Sequence, residues 1–333
     1  MSQDWWQQTF TNGRQTLTIA DASGREVAIA YGEAGMGQPL FLLHGLGSWS
    51  YNWRFSVQPL SAYYRVICVD AKGYGFSQAP PPPETVGHQV VELARIIQTL
   101  SDGPAVVVAE SLGALTALAV AQSHPELIDR LVVLNVPIFP QRLPNAGMQL
   151  LSYLPLDWVQ WIDQWQLVRP VAPLVQQITR IMRREVVVDP TTITDAEIYW
   201  LTYPYINHVG PLTQFAADLQ LAASEIERLH QQQPNWISTI QHKLPHVTCP
   251  TLILWAECDR WFPVQDGERL HAHLPNSQFH VIPNCGHNAS GSNPSSVNAA
   301  ILRFLSDHGS QSGSQDGCLN DSLDQSTDAA SPG

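Results

Sequence analysis

The chain has 333 residues, a formal net charge of −12, and only 14% charged residues beside an ordinary 44% apolar fraction and 11 tryptophans. A chain of this length exceeds what one core comfortably organises, so one large domain with an insertion, or two domains, is expected. The acidity argues against nucleic acid or an anionic membrane as main partner, since both need clustered lysine and arginine, and the scarcity of charge favours an apolar cavity.

The opening Met1-Ser2-Gln3-Asp4-Trp5-Trp6 has neither a basic nor an apolar leader region, and no apolar run approaches a membrane span, so a soluble, cytoplasmic protein is expected. Thr16–Ile19 and Val27–Tyr31, separated by Asp21 to Gly24, read as an antiparallel hairpin. Short unbroken apolar runs follow at Leu40–Leu43, Val66–Val69, Ala105–Val108, Leu131–Leu134 and Thr251–Trp255, the form of strands covered on both faces. Helix-length segments at Trp53–Tyr63, Gly87–Leu100, Ala114–Ser123, Gln265–His273 and Ser295–Leu305 alternate with them. Alternation of this kind predicts an α/β architecture, a doubly wound, mostly parallel sheet with helices on both faces and chemistry beyond the carboxyl ends of the strands.

Between Val136 and Pro250 the alternation stops, and apolar residues recur at helical spacing through Trp158, Trp161, Trp165, Ile178, Ile181, Met182, Trp200, Phe215 and Leu219. We expect a core at 1–137 and 247–308, an inserted α-helical cap at 138–246, and a disordered tail at 309–333, where Ser, Asp, Gly and Gln replace apolar residues. The tryptophan stripe is expected to pack the cap helix onto the core rather than face lipid or substrate.

Ala109-Glu110-Ser111-Leu112-Gly113 places one serine between a strand and a helix, where a sharp reversal strains the backbone and lifts the hydroxyl clear of the sheet. Ala109 stands where the first glycine of G-x-S-x-G is usual, so the turn requires that its methyl group fit. A serine among small residues also opens ordinary helices as an N-cap, which is the bland alternative. Leu43-His44-Gly45-Leu46-Gly47 follows a buried strand and is suited to an oxyanion hole, with the amides of Leu46 and Leu112 as candidate donors, each worth about 3 kcal/mol in an acyl-transfer transition state. His44 itself is expected to brace that loop. Serine needs a base and an orienting carboxylate. His287 in Cys285-Gly286-His287 and Asp259 in Cys258-Asp259-Arg260 lie just past the last two strands, and Glu257 is the competing carboxylate. Asp70 is expected to fix the Gly73-Tyr74-Gly75 turn.

Together, His44-Gly45-Leu46-Gly47, Asp70-Ala71-Lys72-Gly73-Tyr74-Gly75-Phe76-Ser77, the Ser111 elbow, the Asp259 loop ending in Pro263, and Gly286-His287 resemble the α/β-hydrolase-fold superfamily of the serine-nucleophile type with a helical cap. The resemblance implies a mostly parallel eight-stranded sheet with an inserted α-helical cap, and it runs from about Gly24 to Leu305, with two departures: Lys72 where arginine is commoner, and Ala109 where glycine is. A serine at the nucleophile position implies ester-type hydrolysis above the aspartate-dependent dehalogenases and epoxide hydrolases. The order Ser111, Asp259, His287 is the one this architecture uses.

Trp49, Tyr203 and His208 are candidate pocket residues; core packing explains Trp49, Tyr51 and Trp53 equally well, and Tyr203, Pro204, Tyr205 and His208 mark the expected cap turn over the site. Twelve histidines suggest no metal, because His271 and His273 face different ways on a helix and no pair has a third ligand near it. Cys68, Cys249, Cys258, Cys285 and Cys318 follow no C-x-x-C spacing and read as free thiols in a reducing compartment; Cys258 and Cys285 read as small apolar fillers. The expected protein is a cofactor-free hydrolase of a small to medium hydrophobic carboxylic ester. Alternatives are a carbon–carbon bond hydrolase acting on a vinylogous diketone, a perhydrolase, or a ligand-sensing receptor on the same fold.

Overall fold

The computed structural model describes residues 4–80 and 84–309; of the tail expected at 309–333, Gly309 closes the last helix and the rest lies outside the described residues. Eight strands, β1 (Gln15–Ala20), β2 (Glu26–Ala34), β3 (Pro39–Leu43), β4 (Arg65–Val69), β5 (Ala105–Glu110), β6 (Ile128–Leu134), β7 (Thr251–Ala256) and β8 (Ser277–Ile282), form one sheet in the order β1-β2-β4-β3-β5-β6-β7-β8. β2 pairs antiparallel with β1 and β4, and every other pairing is parallel. The predicted architecture is therefore observed. β8 lay outside the apolar runs because its residues alternate between partly buried and exposed at the sheet's edge.

Helices α1 (Trp5–Thr9) and α2 (Val57–Ser61) precede α3 (His88–Leu100) and α4 (Leu112–Ser123). The insertion between β6 and β7 carries α5 (Ala146–Ser152), α6 (Leu156–Gln164), α7 (Ala172–Val186), α8 (Asp195–Asn207), α9 (Pro211–His230) and α10 (Trp236–His242). α11 (Val264–His273), α12 (Ala289–Ser292) and α13 (Pro294–Gly309) complete the chain. The helix expected over Trp53–Tyr63 is shorter: a 3-10 turn at Ser50–Trp53 and then α2. Pro59 supplies no N–H for the carbonyl four residues back, so the earlier turn cannot run on into α2 as one helix.

Alternation along the strands sends side chains to two cores. Phe41, Ile67, Val107, Val133 and Ile253 pack with α3, α4 and α11, while Leu40, Leu42, Val66, Val108 and Leu254 pack with α1, α2 and α13.

The tryptophan stripe does not pack on the core. Trp158, Trp161 and Trp165 are 69, 59 and 68% exposed. α6 buries its opposite side, Val159 and Asp163, and the Asp163 carboxylate accepts hydrogen bonds from the Gly210 and Thr213 amides and the Thr213 hydroxyl at the start of α9. That anchor fixes the rotation of the helix and leaves the tryptophans in solvent. Among the described residues no helix is long and apolar enough to cross a membrane.

Candidate active site

β5 ends at Glu110 and α4 begins at Leu112, so Ser111 carries the whole reversal, at φ 57 and ψ −124. A non-glycine residue at positive φ is strained, and the surrounding packing holds it there. The Ser111 amide donates to Leu134 O at 2.9 Å, and the Ser111 carbonyl accepts from Ala114 and Leu115. Small neighbours are needed on two sides. A methyl on Gly45 would lie 2.8 Å from Ser111 Cβ, and one on Gly113 would lie 2.4 Å from His44 O. At position 109 the methyl is fully buried in the core beneath the sheet, so alanine is accommodated without opening the elbow.

The three residues that sequence order singled out meet here. His287 Nε2 lies 3.0 Å from Ser111 Oγ and His287 Nδ1 lies 2.8 Å from Asp259 Oδ2. Asp259 Oδ1 accepts from the amides of Trp261 and Phe262, which fixes the carboxylate, and its side chain has no solvent exposure. Trp261 and Phe262 enclose the imidazole, with ring centroids 4.6 and 5.3 Å away. With the carboxylate on Nδ1, the tautomer leaves Nε2 free to accept the serine proton. The competing Glu257 points away and accepts from the Asn284 amide.

Beside the hydroxyl, the Leu46 and Leu112 amides donate to no group among the described residues, and both residues line the cavity at Ser111. His44 turns its back on the cavity. Its Nδ1 donates to Gly45 O, its Nε2 accepts from the Ala71 amide, and burial holds the imidazole down at about 4. Asp70 accepts from the Ser50 amide and hydroxyl and the Phe76 amide, and burial pushes its carboxyl up to about 6 against those donors. It thereby ties the loop after β3 to the Gly73-Tyr74-Gly75 turn.

Two chambers meet at Ser111, sharing Leu46, Met148 and Trp261 as walls. The smaller, about 130 Å³, is largely apolar, with Leu115, Leu143, Ile226 and Phe262 among its walls. The larger, about 390 Å³, is faced by Ile178, Met182 and Leu212 and by a polar end of Asn52, Glu110, Arg183 and Asn288. Glu110 Oε2 accepts from Asn52 Nδ2 at 2.5 Å, from the Ser290 hydroxyl at 2.7 Å and from Asn288 Nδ2 at 3.3 Å, and no cation pairs with it among the described residues. Arg183 donates to Asn288 Oδ1 and to Glu197, and its Nε is buried without a partner.

The expected pocket residues are elsewhere. Trp49 is fully buried among Trp5, Trp6 and Tyr51, with its indole N–H given to Trp200 O. Tyr203 stacks on Phe76, and His208 packs edge-on against the same ring. None of the three lines either chamber; Tyr205 does. Asn52, Glu110, Arg183 and Asn288 take their place. One signal for Glu110 was legible, a carboxylate ending an otherwise apolar strand directly before the serine. Cys258 is exposed, while Cys285 is buried, with burial pushing its thiol up to about 12. Away from the site, Glu84, His88 and Glu92 bring ligand atoms within 4.8 Å of one another, but the Lys72 ammonium already lies 2.9 Å from Glu84 and 2.5 Å from Glu92.

Residues 38–294 match the family model described as the alpha/beta hydrolase fold. The chain is 27% identical over 294 residues to a 2-hydroxy-6-oxononadienedioate/2-hydroxy-6-oxononatrienedioate hydrolase of Burkholderia vietnamiensis, covering 85% of this chain and 92% of the relative. It is 28% identical over 285 residues to a 2-hydroxy-6-oxo-6-(2'-aminophenyl)hexa-2,4-dienoic acid hydrolase of Metapseudomonas resinovorans, covering 84% and 88%. Among solved structures, a thermophilic esterase from Thermogutta terrifontis superposes with a TM-score of 0.65 at 25% identity, covering 88% of this chain and 98% of the esterase.

Proposed function

Because the chain belongs to the alpha/beta hydrolase fold family, we propose that it is a serine hydrolase that cleaves a carbon–carbon bond next to a ketone in an acid-bearing, vinylogous diketone. The observation that carries the reading is the contact chain Asp259–His287–Ser111, at 2.8 and 3.0 Å. In this reading residues 1–137 and 247–308 form the catalytic core and 138–246 the cap that roofs it.

Ser111 Oγ attacks the ketone carbon while His287 Nε2 takes its proton, and Asp259 stabilises the resulting imidazolium. The Leu46 and Leu112 amides receive the oxyanion. As the tetrahedral adduct collapses the carbon–carbon bond breaks. Its electron pair passes into the conjugated 2-oxo acid as a dienolate, and the proton returns from His287. Water, activated by the same imidazole, then hydrolyses the Ser111 ester. The apolar chamber suits the acyl part, and the chamber bearing Arg183, with its unpartnered Nε, suits the acid. The names of both relatives support that substrate class.

A second reading, hydrolysis of a small to medium hydrophobic carboxylic ester, is favoured by Glu110. A buried carboxylate without a cation repels an acid from the same chamber, and the similar esterase structure points the same way. Turnover of 2-hydroxy-6-oxo-6-phenylhexa-2,4-dienoate and of p-nitrophenyl butyrate separates the two. The carbon–carbon reading expects the dienoate to have a kcat/KM at least about tenfold higher and Ser111→Ala to abolish it. Ester turnover alone selects the second reading, and absence of both reactions together with no fluorophosphonate labelling of Ser111 overturns the hydrolase.

A further inference from the structure

Of the twenty large apolar side chains that lie exposed on the described residues, eleven fall between Leu150 and Ile181. We propose that the exposed apolar rows of this part of the insertion, on α6 and on α7, dock on an anionic lipid surface. The inference goes beyond the catalytic reading and does not depend on it.

Trp158, Trp161 and Trp165 recur three and four residues apart, so they stand on one side of α6, all more than half exposed. Leu174, Ile178 and Ile181 form a second exposed row along α7. Exposed apolar surface of this extent marks a binding face, and tryptophan is the side chain that settles at the boundary between headgroups and acyl chains.

Charge selects the partner. Residues 142 to 185 hold five arginines against three carboxylates in a chain whose net charge is −12; two of the five, Arg180 and Arg183, are already ion-paired with Asp195 and Glu197. One of the three, Asp163, is buried and committed to the start of α9. Arg169 and Arg184 are exposed and form no ion pair among the described residues. A second copy of the chain would bring the same arginines against this face, whereas an anionic surface complements them. The whole-chain acidity that argued against such a surface is carried by the rest of the molecule. The apolar face also continues into the site: Ile178 is 48% exposed and at the same time lines the larger chamber. A docked molecule would therefore open that chamber toward the membrane.

Co-flotation of the full chain with phosphatidylcholine vesicles, with and without phosphatidylglycerol, tests this. Binding is expected to the phosphatidylglycerol vesicles, to weaken with salt, and to fall at least about tenfold in Trp158→Ser/Trp161→Ser/Trp165→Ser. That variant should keep wild-type melting and hydrolysis of a water-soluble substrate. Should it fold poorly, Arg169→Gln/Arg184→Gln is expected to lose the preference for phosphatidylglycerol, and brominated lipid is expected to quench the exposed tryptophans of the wild-type chain. Absence of co-flotation, or binding that survives both variants, overturns the proposal. So does a dimer in light scattering that the tryptophan variant dissolves, which would assign the face to a second copy.

Discussion

The carbonyl oxygen of His44 packs so closely on Gly113 that a methyl group there would lie 2.4 Å from it. Both sides of that contact are main chain, one the loop after β3 and the other the first turn of α4, so neither can swing aside as a side chain would. Gly113→Ala should therefore push the Leu46 amide away from Ser111 and cost at least about 2 kcal/mol, with turnover reduced about a hundredfold or more. Thermal denaturation beside steady-state turnover checks this; normal values for both would show that the loop yields freely. Ala109→Gly should cost about 1 kcal/mol through backbone entropy but spare turnover.

Asn135 makes a second bridge, between the two loops that hold the base and its carboxylate. Its Nδ2 donates to His287 O at 2.6 Å, its Oδ1 accepts from the Ala256 amide at 2.8 Å, and it sits at φ 49, where asparagine is among the few tolerated side chains. Asn135→Ala leaves both buried groups unpaired and should cost about 3 kcal/mol. Because the damage falls on the placement of His287 rather than on the chambers, kcat should drop while KM stays near wild type. A rise confined to KM would place Asn135 outside the catalytic geometry.

Stability should fall on the alkaline side through His88. Burial opposes its charge, but Asp218 at 3.2 Å and Glu92 at 3.1 Å outweigh that and raise the imidazole from 6.5 to about 10. The folded chain then holds a proton that the unfolded chain has released, so the contribution is complete below 6.5 and lost as pH rises through about 10. His44, lowered by burial from 6.5 to about 4, has the reverse sign: its contribution is present above 6.5 and lost as pH falls toward 4. Asp70, raised by burial from 3.8 to about 6, contributes below 3.8 and loses that as pH rises through 6. Between 4 and 6 the last two oppose each other, so the acid limb should be flatter than the alkaline one. Urea denaturation across this range measures the slopes. His88→Gln should flatten the alkaline limb, and an unchanged slope would assign it to other groups.

The convergence of Ser111, Asp259 and His287 was legible because each stands just past a strand, and in a parallel sheet the apolar runs already mark that edge. Asp259 and Glu257 differ by two residues, and sequence puts Asp259 first because it reaches further out of the strand; in the structure Glu257 turns back to the Asn284 amide. The chambers were not legible. Trp49 follows the loop after β3, but aromatic character does not say which way a loop turns, and its indole is drawn to the Trp200 carbonyl. Arg183 reaches the site only through the packing of α7, and the exposure of Trp158 follows from one buried carboxylate, Asp163, that sets how α6 is rotated.

Glu110 decides how the larger chamber reads charge. One oxygen takes three donors, from Asn52, Ser290 and Asn288, while Asn288 also accepts from Arg183, so a carboxylate and a guanidinium face the same space through one amide. Removing the side chain would strand those donors, and Glu110→Ala should mainly destabilise. Glu110→Gln keeps an acceptor and the shape but deletes the negative charge. For an acid-bearing substrate KM should then fall by about three- to tenfold, because a like charge at close range has gone. Arg183→Gln should raise KM for the same substrate and leave a neutral ester little changed. If Glu110→Gln instead lowers kcat equally for charged and neutral substrates, the carboxylate acts on Ser111 itself rather than on the charge of what binds. Steady-state kinetics on one dienoate and one neutral ester, in both variants, distinguishes the two.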